Sequence, residues 1–209
     1  MIDPHFPGLE DDRARPILGA MTKTKSAAPP AVDPLAHLLQ AHPETAYDYL
    51  EFRRLMAGNA AALAAERATK EDLARLGACM LAMEQAHALD DPAQEALADS
   101  DFHLAIYQAA HNQVMTHVMG RIFDMLKGGV FYDRGDLYRR RGTRDGFLRQ
   151  HQAIWNAIAA GNPEAARVLA EAHISSTEEA LREAQHSDAR REVARRRRGG
   201  SDLVIRTKP

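Results

Sequence analysis

The 209-residue chain has a single cysteine, Cys79, which excludes an intramolecular disulfide and any cysteine-rich zinc module. No apolar run approaches the length needed to cross a bilayer, and the N-terminus carries no apolar signal core. The chain therefore reads as cytoplasmic and without a membrane partner. Aromatic residues make up only 6%, which disfavours a sheet. Glycine (13) and proline (10) are too sparse for wholesale disorder, although five of the prolines fall within residues 1–33. Several chemistries are missing too. There is no His-Glu-x-x-His, no glycine-rich phosphate loop and no serine nucleophile motif. The one Glu-x-x-His runs from Glu84 to His87, whereas a carboxylate-bridged di-iron bundle needs that motif twice.

What is present favours helices. Apolar residues reach 45%, and alanine, leucine, glutamate and arginine dominate. The expected fold is all-α, an antiparallel bundle of six or seven helices with short connections. Asp33-Pro34 opens a short helix through Gln40. A long helix spans about 45–67, with Tyr49, Phe52, Leu55, Met56 and Leu63 as its apolar stripe. Thr69-Lys70-Glu71-Asp72 resembles a capping box for a helix ending near Ala88. Asp91-Pro92 starts one over about 92–110, with Leu97, Asp99, His103, Ile106, Tyr107 and Ala110 on or beside its buried face. Asn112 caps a helix running to about Phe131, and a basic, glycine-containing loop follows. Two more helices span about 144–160 and 163–185, the first with Leu148, His151, Ile154, Trp155 and Ile158 on one face. The second carries Leu169, His173, Thr177 and Leu181 on one face. Residues 1–33 read as a proline-rich tail or linker, 34–187 as the helical domain, and 188–209 as an arginine-rich disordered tail. Between Arg190 and Arg198 that tail holds six arginines against one glutamate.

Four side chains carry a chemical signal. Gly161-Asn162-Pro163 has the residues of a helix-hairpin turn: Gly161 to end one helix, Asn162 to cap the next and Pro163 for its first turn. His151 lies eleven residues before Asn162 and His173 eleven after it, so in an antiparallel hairpin the two face each other at one height. Asp99 and His103, four apart, leave one face of their helix a turn apart. One carboxylate and three imidazoles converging in a bundle suit a first-row transition metal. The alternative is a set of separately hydrogen-bonded buried imidazoles, with Asp99 bonded to His103 within its helix. Spacing alone leaves both readings open. It also leaves open whether Arg53 or Arg54, amid Phe52, Leu55 and Met56, turns inward.

Several stretches then look familiar: Tyr47-Asp-Tyr-Leu-Glu-Phe-Arg-Arg, Leu97-Ala-Asp-Ser-Asp-Phe-His103, Ala110-His-Asn112, His151-Gln-Ala-Ile and Ala172-His173. Together they resemble the FCD domain, the ligand-sensing half of FadR-type regulators in the GntR superfamily. Asp-Phe-His-Leu-Ala-Ile and His-Asn-Gln-Val-Met-Thr-His-Val-Met look most like the branch responding to pyruvate, lactate or glycolate. The resemblance covers roughly residues 33–185. It implies a homodimer with a central effector cavity around one divalent metal held by Asp99, His103, His151 and His173. Zinc is favoured for that metal, with nickel, manganese or iron as alternatives. It also implies that Arg53 pairs with the carboxylate of a small 2-hydroxy or 2-oxo acid, a task its planar fork suits. Two departures stand out. Ala57 and Asn59 occupy positions that are usually acidic in the family. No winged helix-turn-helix is evident in the 33 residues before the domain, so DNA would be read only through a domain that this chain does not display. The functional expectation is a sensor without turnover and without catalytic residues. The alternative is a metalloenzyme using the same Asp/His₃ site for hydrolysis or a lyase reaction on a small acid, and a third is a metal-free interaction domain.

Overall fold

The computed structural model describes residues 34–42, 45–127, 137–139 and 141–199. Among them the chain forms seven α-helices and no strand. They are α1 (Pro34–Ala41), α2 (Thr45–Arg67), α3 (Lys70–Ala88), α4 (Pro92–Ala109), α5 (Gln113–Lys127), α6 (Arg141–Ala159) and α7 (Pro163–Gly199). None is long and apolar enough to cross a membrane.

Local chemistry sets the helix ends. Thr69 Oγ1 accepts from the Asp72 amide at 3.1 Å while the Thr69 amide donates to Asp72 Oδ2 at 3.0 Å, a reciprocal capping box. Asp91 accepts from the amides of Ala93 and Gln94 ahead of Pro92, and Asn112 and Asn162 each accept from the amide three residues on. At the α6–α7 turn Gly161 has φ +64°. Its amide bonds Ile158 O, and the Asn162 amide bonds Ala157 O, the paired closure that a left-handed residue makes possible. Two non-glycine residues share that backbone region, Asp90 (φ 53°) and His111 (φ 50°), and each is held by its side chain. Asp90 pairs with Arg144, and His111 Nε2 lies 2.8 Å from Asp72 Oδ2.

The most extensive pairing is α2 with α7, followed by α3 with α4 and α6 with α7. Here the sequence reading of α2 needs correction. Tyr49 is buried, but Phe52 and Leu55 are 40% and 55% exposed and Met56 and Leu63 only half-buried. The inward face is instead Leu50, Arg53, Ala57, Ala60, Ala61 and Ala64. Alanines bury little area each, yet they let a neighbouring helix approach closely, so shape outweighed hydrophobicity in choosing the face. Leu97, expected inside, is 50% exposed as well. Cys79 is half-buried against the core. The expected end of α5 near Phe131 lies outside the described residues. α6 begins at Arg141 rather than near 144, inside the supposed loop, and α7 continues to Gly199 rather than ending near Gln185. Residues 188–199 are thus helical. Good helix formers and exposed ion pairs of Glu183 with Arg190, Asp188 with Arg191 and Glu192 with Arg196 account for the extension.

One ionic clasp ties α6 to the α3–α4 corner. Arg144, 4% exposed, donates from Nε to Glu95 Oε2 at 2.7 Å and pairs with Asp90. Glu95, 1% exposed, also contacts His87 Nδ1 at 3.0 Å. Removing one partner of a buried pair strands the other's charge. Arg144→Met should therefore lower unfolding stability by about 3–5 kcal/mol in chemical denaturation, with most of the loss recovered in the double variant Arg144→Met/Glu95→Leu. A change below about 1 kcal/mol in the single variant would show that Glu95 does not depend on this arginine.

Candidate metal centre

Asp99 and His103 leave α4 one turn apart, His151 comes from α6, and His173 from α7 across the Gly161 turn. All four are buried, between 0 and 4% exposed. One ligand atom of each lies within 4.8 Å of the others. His103 Nε2 sits 3.2 Å from His173 Nε2, 3.3 Å from His151 Nε2 and 3.3 Å from Asp99 Oδ1. His151 Nε2 is 3.0 Å from the same Asp99 oxygen. The mirrored spacing about the turn does bring His151 and His173 together, with ring centroids 4.3 Å apart.

The donor set can be tested for its fit to a cation. Gln150 Nε2 donates to Ser176 Oγ at 3.1 Å, leaving Gln150 Oε1 to accept from His173 Nδ1 at 2.8 Å. That fixes the His173 tautomer, with a bare Nε2 lone pair aimed at the other three atoms. Direct hydrogen bonds can serve these atoms only in pairs, His103 Nε2–H to His173 Nε2 and His151 Nε2–H to Asp99 Oδ1. A divalent ion would satisfy all four at once. With metal–nitrogen bonds of about 2.0–2.1 Å, neighbouring ligand atoms stand about 3.0–3.4 Å apart, and the four short separations here are 3.0–3.3 Å. The residues fit the metal.

Electrostatics favour neutral imidazoles, the form that ligates. Burial, opposed by Asp99 and reinforced by the Arg53 charge, holds His103 down at about 3. Burial and the two neighbouring histidines hold His173 well below its ordinary value. Phe102 meets His151 edge-on at 5.4 Å, Phe123 stacks near His103 at 6.4 Å, and Phe147 meets His173 edge-on at 5.4 Å. This aromatic jacket excludes water from three sides.

Arg53 turns inward. It is 2% exposed, its guanidinium lies 5.6 Å from the Phe123 ring centroid, and its Nε has no hydrogen-bond partner among the described residues. With Asp99, His173, Thr177, Leu137, Tyr138 and Phe147 it lines a cavity of about 10 Å³. Apart from the two candidate ligands, no described residue in that lining is a carboxylate or an imidazole that could serve as a general base. Gln150, Ser176 and the Leu137–Tyr138 wall escape sequence reasoning. Gln150 sits in a polar run, and Leu137 and Tyr138 lie within the basic loop. Neither context signals burial. His87, of the lone Glu-x-x-His, is engaged by Glu95 and Asp145 instead.

Residues 48–176 match the family model of the FCD domain, and the chain belongs to that family. It is 34% identical over 151 residues to the Glc operon transcriptional activator of Escherichia coli (strain K12), covering 71% of this chain and 59% of that protein. It is 33% identical over 159 residues to the putative L-lactate dehydrogenase operon regulatory protein of the same strain, covering 76% and 60%. The HTH-type transcriptional regulator LutR of Bacillus subtilis (strain 168) is 30% identical over 149 residues, covering 71% and 67%. The chain thus spans about three fifths of the length of the first two. In fold it is similar to Streptococcus agalactiae GntR, with a TM-score of 0.53 at 24% identity over 70% of this chain and 60% of that one. A second solved structure, the Lar protein that controls the Listeria monocytogenes agr system, gives 0.59 at 23% identity over 69% and 66%.

Two outcomes follow from this geometry. Purified chain should carry one divalent ion per molecule by elemental analysis, and His151→Ala or Asp99→Ala should reduce its content by at least tenfold; full occupancy in both variants would remove the centre from these residues. The second concerns pH. His103 and His173 are neutral in the folded chain and titrate near 6.5 when unfolded. Their contribution is therefore complete above about pH 6.5 and is lost as pH falls toward the folded values. Metal-free protein should melt at progressively lower temperature from pH 7 to pH 5, and metal affinity should weaken over the same range. A melting temperature independent of pH across that window would contradict the buried neutral imidazoles.

Proposed function

We propose that this chain is the metal-dependent small-carboxylate sensor domain of a GntR-type transcriptional regulator. The observation that carries the reading is Arg53, a buried guanidinium lining the same cavity as Asp99 and His173. With a divalent ion on Asp99, His103, His151 and His173, the fixed charges around that cavity sum to about +2. A low-dielectric pocket of that sign favours an anion. When bound, the metal supplies a Lewis-acidic anchor for oxygen ligands. Arg53 offers a forked pair of donors to a carboxylate, and the aromatic jacket keeps competing water out.

A 2-hydroxy or 2-oxo acid suits this arrangement, having a carboxylate beside a second oxygen, and regulators of a lactate operon among the relatives support the class. The cavity holds about one water, so even a small acid enters only as a wall yields. Asp99, His173, Thr177 and Phe147 stand on long helices, whereas Leu137 and Tyr138 belong to the connection between α5 and α6. In this reading Leu137 and Tyr138 yield on binding, and their movement favours one arrangement of a cytoplasmic homodimer. The base sequence of DNA is recognised, in this reading, by a winged helix-turn-helix domain of the whole regulator. Zinc suits the donor set, as do nickel, manganese and iron.

Lactate, pyruvate or glycolate at about a hundredfold excess over Kd should stabilise metal-loaded protein by about 2.7 kcal/mol, a rise of about 5–10 °C in melting temperature. Arg53→Met should abolish the rise while leaving metal content unchanged. A melting curve unmoved by all three acids would sink the reading.

A further inference from the structure

The arginine run at the chain's end is not used by the sensor site, and its structure differs from a loose tail. Past buried Ala184 the helix continues to Gly199, and every residue from Gln185 to Arg197 is exposed except half-buried Ser187. At about 100° per residue, Arg190, Arg191, Arg195 and Arg197 fall on one arc of about 160°. Asp188 and Glu192 lie beyond its edge, and Arg196 sits on the other side. The four span about 10 Å along the axis. Some are already ion-paired, Arg190 with Glu183 at 3.0 Å and Arg191 with Asp188 at 3.8 Å. Such exposed pairs contribute little and exchange readily for other anions.

Charge is sharply divided in this chain. Residues 190–198 carry +5 against a total of −2, so the other 200 residues carry −7. An acidic body repels polyanions overall, and this helix holds the densest run of positive charge in the chain. Its chemistry also narrows the partner. Val193 is the one large apolar residue between His186 and Gly199, so there is no apolar face to insert into a lipid interface or to anchor a protein partner. A regular array of phosphates is the complementary surface. Duplex DNA presents one charge per about 1.7 Å of axis, or about six over the length of the arc.

We infer that the C-terminal extension of α7 is a DNA-backbone contact, docking on phosphates through Arg190, Arg191, Arg195 and Arg197 without reading sequence. Phosphate contacts of this kind position a protein on a duplex and carry no base information.

Fluorescence anisotropy of the full chain with a labelled duplex of about 24 base pairs and arbitrary sequence tests this. Binding should be measurable at about 50 mM salt and weaken about a hundredfold by about 200 mM, with a log–log slope of about −3 to −4 for four contacts. The triple variant Arg191→Glu/Arg195→Glu/Arg197→Glu should bind at least tenfold more weakly with a shallower slope, and the corresponding triple lysine variant should bind like the parent. Melting of both variants should match the parent because these side chains pack on nothing. The inference is overturned by no binding of the parent at about 50 mM salt or by undiminished binding of the glutamate variant. Tighter binding to phosphatidylserine vesicles than to the duplex, or a preference for one sequence that survives competitor DNA, would overturn it equally.

Discussion

Three imidazoles, a carboxylate and a guanidinium, each no more than 4% exposed, share a core built mainly from alanine, leucine, isoleucine, methionine and aromatic side chains. Taking such groups out of water costs several kcal/mol apiece unless something in the interior replaces the solvent. Asp99 and the facing Nε2 atoms offset part of that cost among themselves in pairs, whereas a cation would engage all four at once. The arrangement makes physical sense around a cation. Arg53 then adds a second demand, for an anion, along the wall of the adjoining cavity. These buried polar and charged side chains are what sets this bundle apart from a plain apolar one.

The scaffold holds the donors where this demand arises. The alanine face of α2 lets α7 lie close, and the Gly161 turn returns α7 against α6 in register, so that His151 and His173 meet. α4 contributes two ligands from one face, fixing their relative height by helix geometry alone. Arg144 and Glu95 pin the start of α6 to the corner before α4, which stabilises the helix that carries both Phe147 and His151. Small displacements of α6 or of the Leu137–Tyr138 wall therefore reach the centre directly. Such coupling is what a sensor needs, and it explains why the candidate cavity is tight rather than open.

Much of this was legible in the sequence because local rules sufficed. The caps at Thr69, Asp91, Asn112 and Asn162 are read from single residues, and the convergence of Asp99, His103, His151 and His173 follows from a one-turn spacing plus symmetry about a turn. Arg53 was legible only through the family resemblance, since its neighbours Phe52 and Leu55 suggest an inward face that the structure turns to solvent. The true face of α2 is alanine-rich, and alanine carries too little hydrophobicity to mark a side. Gln150 and the Leu137–Tyr138 wall depend on tertiary contacts that no local pattern encodes. The arginine run was misleading for the opposite reason. Its charge suggests a solvated tail, while the acidic residues spaced through it support a helix.

X-ray absorption at the edge of the proposed metal, recorded on purified protein with and without lactate, tests the central claim most directly. The account predicts a first shell of nitrogen and oxygen at about 2.0–2.2 Å with the multiple-scattering signature of three imidazoles. Lactate should change the oxygen contribution in the parent and not in Arg53→Met. A shell containing sulfur, fewer than three imidazoles, or a spectrum indifferent to the acid in both proteins would contradict it.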